Sequence, residues 1–350
     1  MKSLNQFTKR RARSVLYELI TVAALASVCI GLNSANAQTP SAQVWGGTIS
    51  GNTFSFRASA SPTPSTWSVY ATSDFQQWTF KGTMDFPNPN PFPPLTNEVQ
   101  QASLLGSPIT FADPKIAGVS QRFYMLIRQV NGTFYHSQTI GFIRVTAGTG
   151  STDWAKYTAL ANQLDAYPNN SLSSVFAQSS LPAGTVLYKN SVYYTWNGSS
   201  WSGSTTLAPG EGAMLQNNSG SPFTVSFVGT VREGHLVNSI SGNQVWSSIV
   251  PQAGAISTTL NYQPTTGDVV YRWASPNPGW NLAGIYFNAF DAEDQTGIYN
   301  TAGWYNGDMQ PTSEPTVNVG EGFVILAGGW FGLGSNDWVR DFSVFDQFSP

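Results

Sequence analysis

"TLAPGEGAML" at residues 206–215 is answered 110 positions later by "TVNVGEGFVI" at residues 316–325. Each stretch sets a glutamate between two glycines and then enters an apolar run. Pro209-Gly210 fits the two central positions of a type II turn, since proline fixes a negative φ and glycine readily takes the positive φ that follows. The second glycine, Gly212 or Gly322, lets the chain enter a sheet without side-chain crowding. The stretch therefore reads as a turn that starts a strand, made once by Gly210, Glu211 and Gly212 and again by Gly320, Glu321 and Gly322. The glutamates are free in this reading to accept backbone or tyrosine hydrogen bonds. A second reading stays beside it: in a twofold arrangement the two carboxylates face each other as an acid/base pair.

The echo extends outward. "YTALANQLD" (157–165), "NNSLSSVF" (169–176) and "PAGTVLYKN" (182–190) are followed in the same order by "NQVWSSIVPQAG" (243–254), "ISTTLNY" (256–262) and "TTGDVVYRW" (265–273). Gly184 to Tyr188 matches Gly267 to Tyr271 at an offset of 83, whereas the GEG glycines match at 110. The second copy thus holds an insertion of 27 residues, placed within 281–308. A repeat of this length is too long for a solenoid unit. It predicts a pseudo-twofold β-sandwich or barrel domain over 154–350, with copies at about 154–240 and 241–350. One short helix is expected over 172–176.

Composition agrees with an all-β chain. Gly and Pro total 54 of 350 residues, aromatics reach 13% and charged residues only 10%, a mixture suited to short strands and tight turns. The start of the chain predicts export. Basic residues Lys9, Arg10, Arg11 and Arg13 precede an apolar run at 20–32 and an Ala35-Asn36-Ala37 cleavage motif, which reads as a Sec signal peptide over 1–37. Removal would take five basic residues and one acidic from totals of 16 and 19, leaving 11 and 18 and a net charge near −7. That balance offers no footprint for nucleic acid or an anionic membrane. The single cysteine, Cys29, would leave with the signal, so the mature chain has neither a disulfide nor a thiolate site. No second apolar run predicts membrane insertion after cleavage.

Residues 38–146 alternate apolar and polar side chains in "NTFSFRASA" (52–60) and "TWSVYATS" (66–73), the period of half-buried strands. Asn131-Gly132 reads as a hairpin turn. "FPNPNPFPPL" (86–95) reads as an extended loop, and "TAGTGSTD" (146–153) contains a linker at 147–153. The region is similar to a β-sandwich module of secreted proteins from verrucomicrobial-type bacteria. The resemblance is carried by Ser73, Asp74, Trp78, Phe111, Asp113, Pro114, Arg122, Phe123 and Tyr124. It implies an immunoglobulin- or fibronectin-like accessory domain. Residue by residue, Trp78 reads as a core anchor, Asp74 and Asp113 as turn formers, and Arg122 as a salt-bridge or cation–π partner. The order of motifs over 154–326 resembles uncharacterised β-rich proteins exported by the same bacteria, which implies export and a β fold but no catalytic residue.

Binding candidates are the aromatics set among Gly, Asn and Ser: Trp196, Trp201, Trp280, Trp304, Tyr305 and Trp330. Their flat apolar faces suit sugar rings or protein partners, and they serve equally as caps on a core. Asp291, Glu293 and Asp294 form a weak calcium candidate whose spacing fails the EF-hand pattern. His136 and His235 stand far apart with no nucleophile elbow, which leaves no Ser-His-Asp or zinc pattern. No cofactor is implied. The sequence predicts an exported, non-enzymatic structural or adhesive protein of the cell surface or extracellular matrix, whose partners would be extracellular polysaccharide or cell-surface proteins. Carbohydrate binding through loop aromatics is the alternative, and an acidic-residue glycosidase a minor one.

Overall fold

The computed structural model describes residues 39–87, 108–148, 155–273, 279–287, 302–329 and 334–348. The expected signal segment, most of the proline-rich loop and most of the expected linker lie outside them. Among the described residues the chain is nearly all β, built from antiparallel sheets, and no sheet closes into a barrel.

The first eight strands are β1 (Ser41–Ser50), β2 (Thr53–Ser61), β3 (Ser65–Thr72), β4 (Thr79–Phe86), β5 (Ile109–Asp113), β6 (Gln121–Val130), β7 (Thr133–His136) and β8 (Ile140–Ala147). They form a β1-β2-β5 sheet and a β4-β3-β6-β8 sheet, with β7 as a hairpin on β6. Asn131 and Gly132 both take positive φ (50° and 81°) in that hairpin, the backbone an Asn-Gly pair favours. The two sheets share a core of Phe54, Phe56, Trp67, Val69, Tyr124, Leu126 and Phe142.

β6 has no solvent face along "FYMLI". Tyr124 and Leu126 enter that first core, while Phe123, Met125 and Ile127 enter a second one with Leu160, Leu187, Leu215 and Val250. A run buried on both faces marks a middle layer. The second sheet is also extended from beyond the expected linker: residues 223–230 pair with β8 over eight positions, from Phe223↔Ala147 to Thr230↔Ile140. The parts on either side of 147–153 therefore share a sheet and a hydrophobic core.

Those later elements are β9 (Tyr157–Ala161), α1 (Leu172–Val175), β10 (Val186–Lys189), β11 (Val192–Thr195), β12 (Gly212–Gln216), β13 (Phe223–Thr230) and β14 (Gly234–Ser241). They continue with β15 (Val245–Trp246), β16 (Gly254–Ala255), β17 (Val269–Trp273), β18 (Trp280–Phe287), β19 (Gly303–Tyr305) and β20 (Pro311–Thr312). β21 (Thr316–Val317), β22 (Phe323–Leu326) and β23 (Ser335–Phe342) complete the strands. α1 is the expected helix, capped by the Ser171 hydroxyl, which accepts from the Ser174 N–H. One sheet runs β11-β10-β12-β9 and another β15-β22-β17-β18-β19-β20. β14 pairs with β23 from Gly234↔Phe342 to Ser241↔Ser335. A third cluster, around Trp246, Tyr262, Val270, Phe323 and Trp338, fills the last sheet's interior.

Residues of the module-like stretch hold the first sandwich together. The Asp74 carboxylate accepts the Gln76 and Gln77 N–H groups at 2.9 and 3.0 Å and closes a turn. Trp78 is half-buried and meets the C-terminal Phe348 edge-on, whereas Trp67 is the fully buried tryptophan of the sandwich. Asp113 is buried and accepts from the Lys115 N–H (2.9 Å), Arg122 (3.0 Å) and the Tyr124 hydroxyl (2.9 Å). Burial alone would raise its pKa; the Lys115 N–H, Tyr124, Arg122 and the Lys81 charge outweigh it and hold the carboxyl below its ordinary range. A lowered folded pKa means this stabilisation is complete above the ordinary aspartate value and is lost as pH falls through the folded value. Asp113→Asn should therefore destabilise the chain by about 2 kcal/mol at pH 7. In urea unfolding the gap between variant and parent should narrow steadily below about pH 4.

Candidate functional site

The two GEG turns have the same construction. The Glu211 N–H donates to Ala208 O (2.9 Å) and the Glu321 N–H to Asn318 O (3.2 Å), closing a β-turn at each. Gly210 and Gly320 hold positive φ, 94° and 76°, as the type II reading requires. Each carboxylate then folds back three residues: Glu211 Oε2 accepts the Ala208 N–H (2.6 Å), and Glu321 Oε2 the Asn318 N–H (3.0 Å).

A basic side chain from the neighbouring strand completes each arrangement. Lys189 Nζ, at the end of β10, donates to Glu211 Oε2 (2.9 Å) and to Thr206 O (2.7 Å). Arg272 in β17 grips Glu321 with two bonds, Nε to Oε1 at 2.6 Å and Nη2 to Oε2 at 2.7 Å. Sequence reasoning anticipated the backbone bonds, held tyrosine hydroxyls as the alternative and missed these cations. A signal was present: Lys189 and Arg272 each follow the matched tyrosine, Tyr188 or Tyr271, at the same offset of 83.

Each turn also meets a segment paired beside the strand that follows the other. Ala161 N–H donates to Gly320 O (3.0 Å), while Ser247 N–H donates to Gly210 O (2.9 Å). Leu160 bridges to Glu321 and Trp246 to Glu211. A Cβ added at Gly212 would lie 2.5 Å from Val245 Cγ1 and 3.0 Å from Leu160 O; one at Gly322 would lie 2.6 and 2.7 Å from the same two atoms. Both second glycines thus stand against one seam. Each carboxylate is held by a cation and by its own turn.

The aromatic candidates divide. Trp201 is buried against Phe176 (5.4 Å between ring centres) and Trp196 (5.6 Å), and the half-buried Trp196 donates its indole N–H to Leu181 O (3.1 Å). Trp304 and Tyr305 are buried in β19, not in a loop, where β19 and β20 extend the last sheet beyond β18. Trp280 opens β18 and is 37% exposed, edge-on to Trp273 at 5.4 Å. It lines a cleft of about 240 Å³ with Tyr188, Asn190, Asn243 and Gln244. Trp330 and the calcium candidates Asp291, Glu293 and Asp294 lie outside the described residues. Among the described residues no three His, Cys, Asp or Glu side chains gather as a metal site. His136 stacks on Phe345, and His235 lies in strand β14 beside Asp341. Sequence reasoning missed Tyr193 and Tyr167, which are exposed.

No protein-family model, no curated protein and no solved structure matches the chain. Among the described residues no helix is long and apolar enough to cross a membrane.

Proposed function

We propose that this chain is an exported, non-enzymatic structural or adhesive protein of the cell surface or extracellular matrix. One observation carries the reading: both copies of the conspicuous glutamate hold a turn and a cation of their own, which is a scaffold's use of a carboxylate. The signal-like start agrees with export.

Two finer readings of the fold support a scaffold built by duplication. The strand orders β11-β10-β12-β9 and β18-β17-β22-β15 correspond element by element. The pairs β8–β13 and β14–β23 each run eight residues in equivalent register. We therefore read residues 140–230 and 234–342 as the two copies, each starting one strand earlier than the shared motifs suggest. The β1-β2-β5 and β4-β3-β6-β8 sheets have the strand neighbours of an immunoglobulin-like sandwich.

Labelled protein incubated with cells of the producing organism should be retained on the surface or matrix fraction in a saturable manner. It should release no product from polysaccharides. Turnover that disappears in Glu211→Gln or Glu321→Gln, with folding intact, would sink the non-enzymatic reading. A second reading, carbohydrate binding, is favoured by the exposed Trp280 beside amide side chains in its cleft.

A further inference from the structure

We propose that a separate cleft, between β1 and the segment after β9, binds a short stretch of a neutral polysaccharide. The proposal rests on the adhesive reading and gives it a ligand class and a place. The cleft encloses about 530 Å³, within the range of small-ligand sites, and its aromatic side chains are Trp45 and Tyr167.

Both walls are built features. On one side the β1–β2 ladder slips between Trp45 and Thr48, and Gly46 there takes a φ of 62°. Gly47 passes so close to β13 that an added Cβ would lie 2.6 Å from Val228 Cγ1. A bulge of this kind re-aims its flanking side chains. On the other side the loop carrying Tyr167 is pinned from below. Arg232 binds Asp165 with two bonds of 2.6 and 2.9 Å, and Asn170 Nδ2 donates to the same carboxylate at 2.8 Å. The Ala166 N–H donates to Asn170 Oδ1 at 3.0 Å, and Asp165 exchanges two backbone bonds with Thr230. Tyr167 therefore stands on a rigid support while remaining 70% exposed.

Charge selects the ligand class. Asp165 is the one charged side chain lining the cleft among the described residues, and Arg232 neutralises it. The polar groups that remain are amides and hydroxyls, among them Gln138, Asn169 and Thr48. Gln178 accepts the Ile49 N–H at 2.9 Å through its carbonyl and keeps its NH₂ group to donate. Neutral donors and acceptors in a cleft that also carries two aromatic side chains match the hydroxyls and apolar ring faces of an uncharged sugar. A phosphate or uronate chain would meet no free cation among the described residues that line it.

Titration calorimetry on the purified protein tests this with cellohexaose, xylohexaose, laminarihexaose and mannohexaose, and with oligogalacturonate as the anionic comparison. At least one neutral sugar should bind. Tyr167→Ala should weaken it by at least about tenfold, equivalent to 1.4 kcal/mol, with an unchanged melting temperature. Tyr167→Phe should bind within about threefold of the parent, since the ring face is retained. Phe80→Ala, at an exposed ring outside the lining of this cleft, should leave the affinity unchanged. No heat with any neutral sugar, or preference for oligogalacturonate, overturns the proposal. Loss in Trp280→Ala with Tyr167→Ala silent overturns this site while leaving carbohydrate binding in place. Surface retention of labelled protein without binding to any of these sugars overturns it and leaves the adhesive reading standing.

Discussion

Glu211→Gln is expected to lower the folding stability by about 2–3 kcal/mol at neutral pH. The change keeps an oxygen for the Ala208 N–H, so the turn can still close and the loss isolates the charge. Its partner, Lys189, is only 5% exposed, and its remaining acceptor is the Thr206 carbonyl. Removing one member of a buried pair leaves an uncompensated charge, which typically costs about 3–5 kcal/mol; the 30% exposure of Glu211 reduces that. Lys189→Met combined with Glu211→Gln should recover most of the loss, because no buried ammonium then remains. Denaturant unfolding of the two single variants and the double decides it. If Glu211→Gln unfolds with the parent, the carboxylate is not structural and the case for catalysis reopens.

Gly322→Ala should cost a similar amount, about 2–3 kcal/mol, by a different mechanism. Its added methyl would sit 2.7 Å from the Leu160 carbonyl oxygen and 2.6 Å from Val245 Cγ1. The smaller entropy of the unfolded alanine variant offsets only about 0.4–1 kcal/mol. Gly212→Ala meets the same two groups, but with more room at the carbonyl, 3.0 Å. Val245→Ala should therefore rescue Gly212→Ala in large part and Gly322→Ala hardly at all, since a backbone oxygen in a paired strand does not move aside. Equal rescue of both in thermal melts would show that the seam is not packed as described.

Much of the fold was legible because its signals are local. Alternation in "NTFSFRASA", the Asn131-Gly132 hairpin, the Ser171-capped helix and the GEG turns each depend on side-chain period or φ within a few residues. The aromatic candidates were harder. Trp201 and Trp304 have the same Gly- and Asn-rich neighbours as Trp280, yet two are buried and one is open. Flanking composition reports a turn nearby, not which side of a sheet the next ring meets.

The sequence by itself determined an all-β chain with a turn made twice, and it placed Lys189 and Arg272 at matching positions without saying what they do. Only the tertiary structure decided that each cation reaches its own glutamate, that Leu160 and Trp246 cross to the opposite turn, and that β13 completes the sheet of β8. Strand partners tens of residues apart are chosen by which apolar faces still need cover, and the entropy of closing such loops varies too slowly with length to single out one pairing. β6 shows the consequence: its unbroken apolar run is needed only because a second layer, folded from later sequence, covers the face that would otherwise meet water.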